Sequence, residues 1–273
     1  MITLELKNFS MEQICNSGQC FRMNRKGDHG YEVIAGDRYL ELEQEGNICR
    51  FICSQQEFQE FWSSYFDLDR NYGAYIESID PTDEYLNTVA AYGSGIRILK
   101  QDLWEMIVSF LISQQNNITR IRRCIGNICS RYGEKKTSPN GVIYNAFPTP
   151  EALAAATDED LKACNLGYRS KYVIRTAQSI VSGEVSLEAV EGMEYEEAKA
   201  ELMKLYGVGG KVADCICLFA LQKLEAFPVD THIRQALEKY YQDGFPMERY
   251  RGYEGVLQQY IFYYDLFGEK ELV

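Results

Sequence analysis

The spacing of hydrophobic residues changes about 55 residues into the chain. Before that point, apolar and polar residues alternate in three short runs, Tyr31–Ala35, Tyr39–Glu43 and Ile48–Ile52, separated by Gly, Asp and Asn. A period of two predicts strands that bury one face. We therefore expect about the first 55 residues to form antiparallel strands, with a turn at Asn16–Gln19 before a further short strand.

From about residue 56 onward the apolar spacing becomes helical, and several helix starts carry recognisable signals. Asp102–Glu105 and Thr157–Asp160 fit capping boxes, in which the first and fourth residues each bond the other's backbone N–H. Met106–Ile112 continues the first of these as a buried helix. Thr149 followed by Pro150 fits an N-cap with proline in the first helical position.

Two more helices are predicted nearer the C-terminus, an amphipathic one over Tyr195–Leu205 and an aromatic-rich one over Val256–Phe267. Strands followed by a long run of helices are typical of the α+β class. We expect a small antiparallel β N-terminal domain with following helices, residues 1–98, and a large all-helical domain, residues 99–273.

Cysteine usage and the opening residues bear on the cellular compartment. The 273-residue chain is 46% hydrophobic, which is enough for a sizeable core, and it has nine cysteines. Met1–Lys7 lacks the basic segment and long apolar run of a signal peptide, so free thiols in a reducing cytoplasm are expected. Because the cysteines lack Cys-x-x-Cys and zinc spacing, we expect no metal and no cofactor. No apolar run approaches the length of a membrane span.

A basic cluster interrupts an otherwise acidic chain. The net charge of −12 argues against a protein that coats DNA by broad phosphate neutralisation. A local basic footprint is compatible with it, and six basic residues lie close together in sequence: Arg120, Arg122, Arg123, Arg131, Lys135 and Lys136. The alternative is a solvated helix face, which by itself is the more common explanation.

The segment Leu205–Cys215 predicts a tight glycine turn that leads into an apolar helix. Gly207 and Gly209 permit positive φ and a close approach of the backbone. The helix starts there, so its unpaired N–H groups and positive dipole end face outward and suit a DNA backbone phosphate. An ordinary corner between two helices is the alternative, but the flanking Leu, Val and Lys favour a functional role.

One lysine and one carboxylate near this turn suggest covalent chemistry. Lys211, Cys215 and Phe219 share a helix face, and a helix N-terminus disfavours a cation, which favours the amine form of a nucleophile. Asp230 follows 19 residues after Lys211 and fits the N-cap of the next helix. Capping amides keep such a carboxylate ionised and oriented. A surface lysine and a simple cap are the alternatives.

A run of four amide side chains follows the buried helix, from Gln114 to Asn117, and Arg120 lies just beyond it. Amide and guanidinium groups suit base edges and the gap that an extruded nucleotide leaves in a duplex. The alternative is a polar loop.

Together these motifs resemble the helix-hairpin-helix DNA glycosylases, and within them the 8-oxoguanine DNA glycosylase/lyases. The resemblance covers nearly the whole chain and rests on six segments: Asn16–Arg22, Tyr65–Asp69, Ser113–Arg120, Leu166–Arg169, Gly207–Cys217 and Pro228–His232. It implies that residues 99–273 form a helix-hairpin-helix glycosylase domain and that the partner is damaged double-stranded DNA, bound by a monomer. It also implies a cytoplasmic enzyme, associated with the nucleoid in bacteria and nuclear in eukaryotes.

The resemblance implies roles for the residues that handle the damaged base. Lys211 is expected to be the nucleophile and Asp230 its acidic partner. Gly18 would accept a hydrogen bond from the N7–H that only the oxidised base carries. The base would lie between Cys215 and Phe262, with Gln258 at its Watson–Crick edge. Phe219 would form the pocket wall, at a position where the family often has Met.

Roles also follow for residues that contact the rest of the duplex. Gln115, Asn116 and Asn117 would occupy the vacated space, although the family usually has Asn at the position of Gln115. Arg120 and Arg169 would face the unpaired cytosine, with Tyr168 wedged beside it. Phosphates would be held by Gly207, Gly209 and His232.

The resemblance therefore implies a bifunctional enzyme that removes 8-oxoguanine opposite cytosine through a lysine Schiff base. Two alternatives follow from the residues. A non-catalytic helix-hairpin-helix DNA-binding protein would keep Gly207 and Gly209 but would not need Lys211 or Asp230. A monofunctional glycosylase for alkylated bases would use Asp230 and water, and Lys211 argues against it.

Overall fold

The computed structural model describes residues 1–268, and its N-terminal part is built on a five-stranded antiparallel sheet. The strand order is β1–β5–β4–β3–β2, with strands β1 (Ile2–Glu5), β2 (Met23–Lys26), β3 (Gly30–Ala35), β4 (Arg38–Glu45) and β5 (Ile48–Ile52). Pairing of Val33 with Leu40 and of Leu42 with Phe51 aligns buried residues on one face. The three strands predicted from alternation are confirmed.

One part of the strand prediction is wrong, because residues 11–16 form a helix. Met11, Ile14 and Cys15 are buried at helical spacing, and the Ser10 hydroxyl caps the helix by accepting from the Gln13 N–H at 3.3 Å. A helix of six residues is too short for its period to stand out from neighbouring strands. This helix ends at Asn16, so Gly18 lies in the turn that follows it.

The rest of the described chain is largely helical. The helices are α1 (Met11–Asn16), α2 (Gln55–Glu57), α3 (Ser63–Tyr65), α4 (Tyr72–Glu77), α5 (Glu84–Tyr92), α6 (Leu103–Ser113), α7 (Ile118–Tyr132), α8 (Pro150–Ala154), α9 (Asp158–Ala163), α10 (Arg169–Val181), α11 (Leu187–Glu191), α12 (Tyr195–Leu202), α13 (Gly210–Phe219), α14 (Thr231–Tyr240) and α15 (Glu254–Phe267). A π-helical turn, Phe58–Trp62, joins α2 to α3, and a 3-10 turn, Met247–Tyr250, precedes α15. The α+β class is confirmed.

The prediction that residues 99–273 are all helical needs a correction. A two-stranded hairpin, β6 (Lys135–Thr137) and β7 (Ile143–Asn145), lies between α7 and α8. Its strands have three residues each, and their side chains are exposed or half-buried. Such short strands carry no alternation that distinguishes them from a loop.

The predicted helix starts are present, but neither capping box is reciprocal. Asp102 accepts from the Glu105 N–H at 2.7 Å, and Thr157 accepts from the Asp160 N–H at 3.1 Å. The side chains of Glu105 and Asp160 bond elsewhere, the first to Arg22 and the second to Arg131. Thr149 caps α8 with proline in its first turn, as predicted.

Buried side chains form two clusters. One lies on the sheet and includes Met11, Val33, Phe51 and Trp62, while the other surrounds α6, of which every residue from 103 to 112 is buried. The clusters interlock, since Leu99 packs with the sheet and Phe21 with the helices. A domain boundary after residue 98 stays a prediction. Within residues 1–268, no helix has the length and apolarity that crossing a membrane requires.

A buried ion pair joins the sheet to α6. The Glu105 carboxylate accepts from the Gly36 N–H at 2.8 Å and from Arg22 Nη1 at 3.3 Å, and both charged side chains are 6% exposed. Arg22 also donates to the carbonyls of Gly36 and Asn145. Burial raises the pKa of the Glu105 carboxyl, and the Arg22 guanidinium and the Gly36 N–H oppose that rise. These bonds fix the orientation of the helix that leads to the amide segment.

We expect Glu105→Ala to lower the free energy of unfolding by about 3–5 kcal/mol, because it leaves the buried Arg22 guanidinium without its counter-charge. Urea unfolding followed by circular dichroism measures the loss. Glu43→Ala is the matched control, since Glu43 pairs with Arg50 at 3.8 Å on the exposed face of the sheet. That change should cost about 1 kcal/mol or less. Equal losses in the two variants would contradict a structural role for the buried pair.

Candidate active site

The turn between α12 and α13 has the geometry that its glycines predict. Gly207 adopts φ of 92°, and a Cβ there would lie 2.7 Å from Cγ of Tyr172, so no larger residue fits without displacing that ring. Gly209 is the N-cap of α13, has no side-chain cap, and faces open space. The first N–H groups of α13 are therefore accessible to an anion.

Lys211 occupies the first turn of α13 and is exposed, whereas Val212 to Phe219 are all buried. Its Nζ lies 5.9 Å from the centre of the Phe110 ring. Cys215, one turn further along, is 3% exposed; burial raises the pKa of its thiol to about 11, although nearby Lys211 acts to lower it. The thiol is therefore neutral at pH 7, and the Lys211 amino group lies over the face of an aromatic ring.

Asp230 is the N-cap of α14, as predicted. Its Oδ1 accepts from the Ile233 N–H at 2.9 Å. The carboxylate is half-buried and lies at the helix end where backbone dipoles favour negative charge. Its orientation is therefore set by the same bond that starts α14.

Three neighbouring cavities share Lys211 and Asp230 in their walls. One, of about 350 Å³, is bounded by Gly18, Phe110 and Phe262 among others. An open cleft of about 740 Å³ extends from there along the amide segment and the start of α13. The fold thus brings the amine and the carboxylate to the junction of a pocket and a cleft.

The third cavity, of about 40 Å³, collects all the residues expected to hold the base. Its lining includes Gly18, Cys215, Phe219, Gln258 and Phe262. It is much smaller than a bicyclic base, so a base enters only if the pocket widens.

Packing at this pocket explains why residue 18 is a glycine. Gly18 adopts φ of 75°, and a Cβ there would lie 3.0 Å from Cε1 of Phe262, so the backbone itself forms one wall. On the far side, Gln258 Nε2 donates to the Pro228 carbonyl at 3.1 Å, and Gln258 Oε1 accepts from Gln259 at 3.0 Å. The Gln258 amide is thereby oriented before any ligand binds.

The amide segment forms a sharp turn between α6 and α7. Gln115 adopts φ of 48°, Asn116 Nδ2 donates to the Ile112 carbonyl at 3.0 Å, and Asn117 caps α7 by accepting from the Arg120 N–H at 2.9 Å. Gln114 Nε2 donates to the Gly207 carbonyl at 3.0 Å. The segment is therefore tied directly to the glycine turn.

Arg169 is buried, unlike Arg120. Its guanidinium donates to the Gln114 carbonyl at 2.7 Å through Nε and to the Gln115 carbonyl at 2.8 Å. Arg169 also lies 4.5 Å from the ring centre of Tyr168, which is 46% exposed. In this conformation Arg169 holds the amide turn in place, and its contact with an unpaired base stays a prediction.

Two contacts that orient predicted residues were not expected from the motifs, one made by Asp265 and one by Gln114 of the amide run. Asp265 Oδ2 lies 2.6 Å from His232 Nδ1, and the Gln114 bond to Gly207 joins the two key segments. The spacing of Gln258, Phe262 and Asp265 at helical intervals was a signal that placed Asp265 on the same face of α15. Within residues 1–268, no cluster of His, Cys, Asp and Glu has the geometry of a metal site.

Comparison with known proteins identifies the class that this fold and site define. Residues 108–247 match the family model of HhH-GPD superfamily base excision DNA repair proteins. Residues 1–107 match the 8-oxoguanine DNA glycosylase N-terminal domain. The chain belongs to the 8-oxoguanine DNA glycosylase family, and the resemblance stated from the motifs is confirmed.

Individual relatives agree with this assignment. The 8-oxoguanine glycosylase/lyase of Clostridium acetobutylicum, solved with double-stranded DNA containing cytosine opposite 8-oxoguanine, is 37% identical, with a TM-score of 0.90 over 98% of this chain and 94% of that one. The N-glycosylase/DNA lyase of Saccharomyces cerevisiae is 34% identical over 74% of this chain, which spans 58% of the yeast protein. A 3-methyladenine DNA-glycosylase from Archaeoglobus fulgidus, 21% identical, shares the fold with a TM-score of 0.78 over 98% of this chain and 99% of that one. The fold alone therefore does not decide which base is removed.

Proposed function

We propose that this protein is a bifunctional DNA glycosylase and lyase that removes 8-oxoguanine opposite cytosine in base excision repair. The observation that carries the proposal is the shared position of Lys211 and Asp230 in the walls of the base pocket and the open cleft. Its partner is damaged duplex DNA, bound by a monomer, and it works in the cytoplasm at the nucleoid, or in the nucleus of a eukaryote. The Clostridium relative was solved with that kind of duplex.

Catalysis begins with extrusion of the damaged nucleotide, because its C1′ is inaccessible inside the stack. The Lys211 amine forms a bond to C1′ as the C1′–N9 bond breaks, and the base leaves with that electron pair and takes up the proton that the amine loses. Asp230 stabilises the positive charge that develops on the sugar. The C1′–O4′ bond then breaks as the C1′=N bond of a Schiff base forms, and O4′ takes up a proton. Loss of a C2′ proton forms a C2′–C3′ double bond as the C3′–O bond breaks and the 3′ phosphate leaves. Lys211 supplies the covalent step and Asp230 the electrostatic one.

Discrimination of the lesion rests on one proton. Guanine N7 is a hydrogen-bond acceptor, whereas 8-oxoguanine carries N7–H, so the Gly18 carbonyl attracts the lesion and repels the normal base. An unmatched buried polar group costs about 1–3 kcal/mol. Cys215 and Phe262 lie against the faces of the base, Phe219 closes the pocket, and Gln258 binds the Watson–Crick edge. Entry of the base requires the pocket to widen, since its volume is only about 40 Å³.

The remaining predicted residues bind the duplex outside the pocket. The N–H groups near Gly207 and Gly209 hold one phosphate and His232 another. Gln115, Asn116 and Asn117 fill the gap left by the flipped nucleotide, beside the exposed Tyr168. These contacts position the duplex, whereas recognition of the opposite base falls to the arginines.

The proposal is tested by borohydride trapping of the wild-type protein on a duplex with one 8-oxoguanine opposite cytosine. We expect a covalent complex and a product cleaved on the 3′ side of the lesion. An undamaged duplex is the control. Base release without trapping would indicate a monofunctional glycosylase, and binding without release would indicate a non-catalytic DNA-binding protein.

Recognition of the opposite base gives a separate prediction for Arg120, which is exposed just after the amide segment. Unpaired cytosine offers two adjacent acceptors, N3 and O2, whereas unpaired adenine offers N1 beside an amino donor. A guanidinium, which only donates, therefore favours cytosine by about 1–3 kcal/mol. We expect Arg120→Ala to reduce the preference for cytosine over adenine by about tenfold or more in single-turnover excision.

The exposed Arg123, one turn further along α7, provides the matched control. Arg123→Ala should leave the ratio of excision rates opposite cytosine and adenine unchanged. A uniform loss of rate in Arg120→Ala, with the ratio intact, would assign Arg120 to a phosphate.

A further inference from the structure

Positive charge is concentrated on α10 in a way that the proposed site does not use fully. The helix has the sequence RSKYVIRTAQSIV, with three basic residues and no acidic one, in a chain of net charge −12. Arg169 is buried under the amide turn, but Arg175 is exposed at the middle of the same helix. An exposed cation on such a helix has no neighbouring carboxylate to neutralise it along its own face.

An aromatic ring holds the Arg175 guanidinium in position. Its Cζ lies 4.2 Å from the centre of the Tyr206 ring, and within residues 1–268 no hydrogen bond or salt bridge engages the guanidinium. Tyr206 belongs to the glycine turn, directly before Gly207, and is 45% exposed. A guanidinium held over an aromatic face keeps its N–H donors available to another acceptor. Arg175 is therefore held in position without being neutralised.

The pair is joined to the glycine turn by packing. The Tyr206 ring lies 5.5 Å from that of Tyr172, and Tyr172 is the residue against which Gly207 packs. The ring centres of Tyr172 and Tyr168 lie 5.6 Å apart. Thr176 Oγ1 donates to the Tyr206 carbonyl at 3.3 Å. A continuous aromatic strip, Tyr168–Tyr172–Tyr206, thus runs from the wedge residue to Arg175.

We propose that Arg175, held by Tyr206, binds a backbone phosphate of the duplex next to the one held by the N–H groups of the glycine turn. This inference rests on the proposed function, since it assigns a further contact to the same DNA. A phosphate fits because the guanidinium is exposed, unpaired and held by an aromatic ring beside the anion-binding turn, in a chain whose net charge of −12 leaves few uncompensated cations. The contact is independent of base sequence, so it acts on damaged and undamaged DNA alike.

The test is the salt dependence of duplex affinity, measured by fluorescence anisotropy for the full chain. Each phosphate contact contributes about 0.9 to the slope of log Kd against log salt. Arg175→Gln should therefore lower the slope by about 0.9 and raise Kd by about tenfold at 50 mM salt and about threefold at 200 mM. Arg175→Lys should restore the slope, which a purely structural role for Arg175 does not predict. The losses should be equal on lesion-containing and undamaged duplexes.

Tyr206 provides a second, independent measurement. Tyr206→Phe should keep wild-type affinity, while Tyr206→Leu should raise Kd by about two- to fivefold because the guanidinium loses its aromatic support. In the Arg175→Gln background, Tyr206→Leu should have no further effect. Equal losses from Tyr206→Leu with and without Arg175 would overturn the proposed pairing.

Arg25→Gln is the matched control, because Arg25 is exposed on β2 and donates to the carbonyls of the following turn, its only hydrogen bonds within residues 1–268. It should leave both slope and Kd unchanged. An unchanged slope in Arg175→Gln, with wild-type protein still binding DNA in a salt-dependent way, would overturn this inference alone. If the wild-type protein shows no salt-dependent binding, the proposed function itself is contradicted.

Discussion

Lys211→Gln should abolish borohydride trapping on a duplex with 8-oxoguanine opposite cytosine and lower base excision by at least about 10³-fold. Glutamine retains much of the aliphatic stem of lysine but has no nucleophilic amine, so the covalent path closes with little change in side-chain volume. The residual rate is that of water attacking a sugar stabilised by Asp230. Single-turnover excision and denaturing gel electrophoresis of trapped complexes measure the two effects.

Lys204→Gln is the appropriate control for this variant. Lys204 precedes the glycine turn, is exposed and pairs with Glu201 at 2.6 Å, so it carries the same charge outside the cavities. It should trap and excise at the wild-type rate. Trapping by Lys211→Gln at the wild-type level would move the nucleophile to another amine and remove the central residue of the proposal.

Asp230→Asn should slow excision by about 10²–10³-fold while leaving affinity for damaged duplex nearly unchanged. The carboxylate stabilises charge that develops only in the transition state, so its loss affects the rate more than binding. Asparagine caps helices as well as aspartate does, so the bond to the Ile233 N–H and the start of α14 are preserved. Binding and single-turnover excision are measured on the same duplex.

Two further variants separate catalysis from capping. Asp230→Ser keeps a capping oxygen without charge and should resemble Asp230→Asn in rate and in stability. Asp230→Ala lacks both and should also lose about 1 kcal/mol of unfolding free energy. If Asp230→Asn excises at the wild-type rate, the carboxylate is a helix cap with no part in the chemistry.

The sequence predicted those parts of the fold in which local signals and tertiary structure agree. Alternation gave the three central strands, and the caps at Asp102, Thr149 and Asp230 are present because a capping bond joins residues three apart. The five residues expected to hold the base line one cavity, and their role in base binding stays a prediction.

What the sequence did not predict depends on partners distant along the chain. Glu105 bonds Arg22, which is 83 residues away, and this choice cannot be read from a capping motif. Arg169 is adjacent to Tyr168 in sequence but is buried by carbonyls 54 and 55 residues away. Buried side chains hydrogen-bond to the polar groups that folding brings next to them. The local sequence pattern does not show which distant residues these are.

The bond between Gln114 and Gly207 fixes the distance between the amide turn and the glycine turn. Arg169 holds the amide turn in place, and the packing of Tyr172 against Gly207 holds the glycine turn. Under the proposed function, the two turns contact the vacated base position and a phosphate, so a duplex meets both only when its backbone has the matching geometry. A duplex that has to deform for this does so at lower cost where stacking is already weakened. On that proposal, the ease of bending a duplex contributes to its selection before any base enters the pocket.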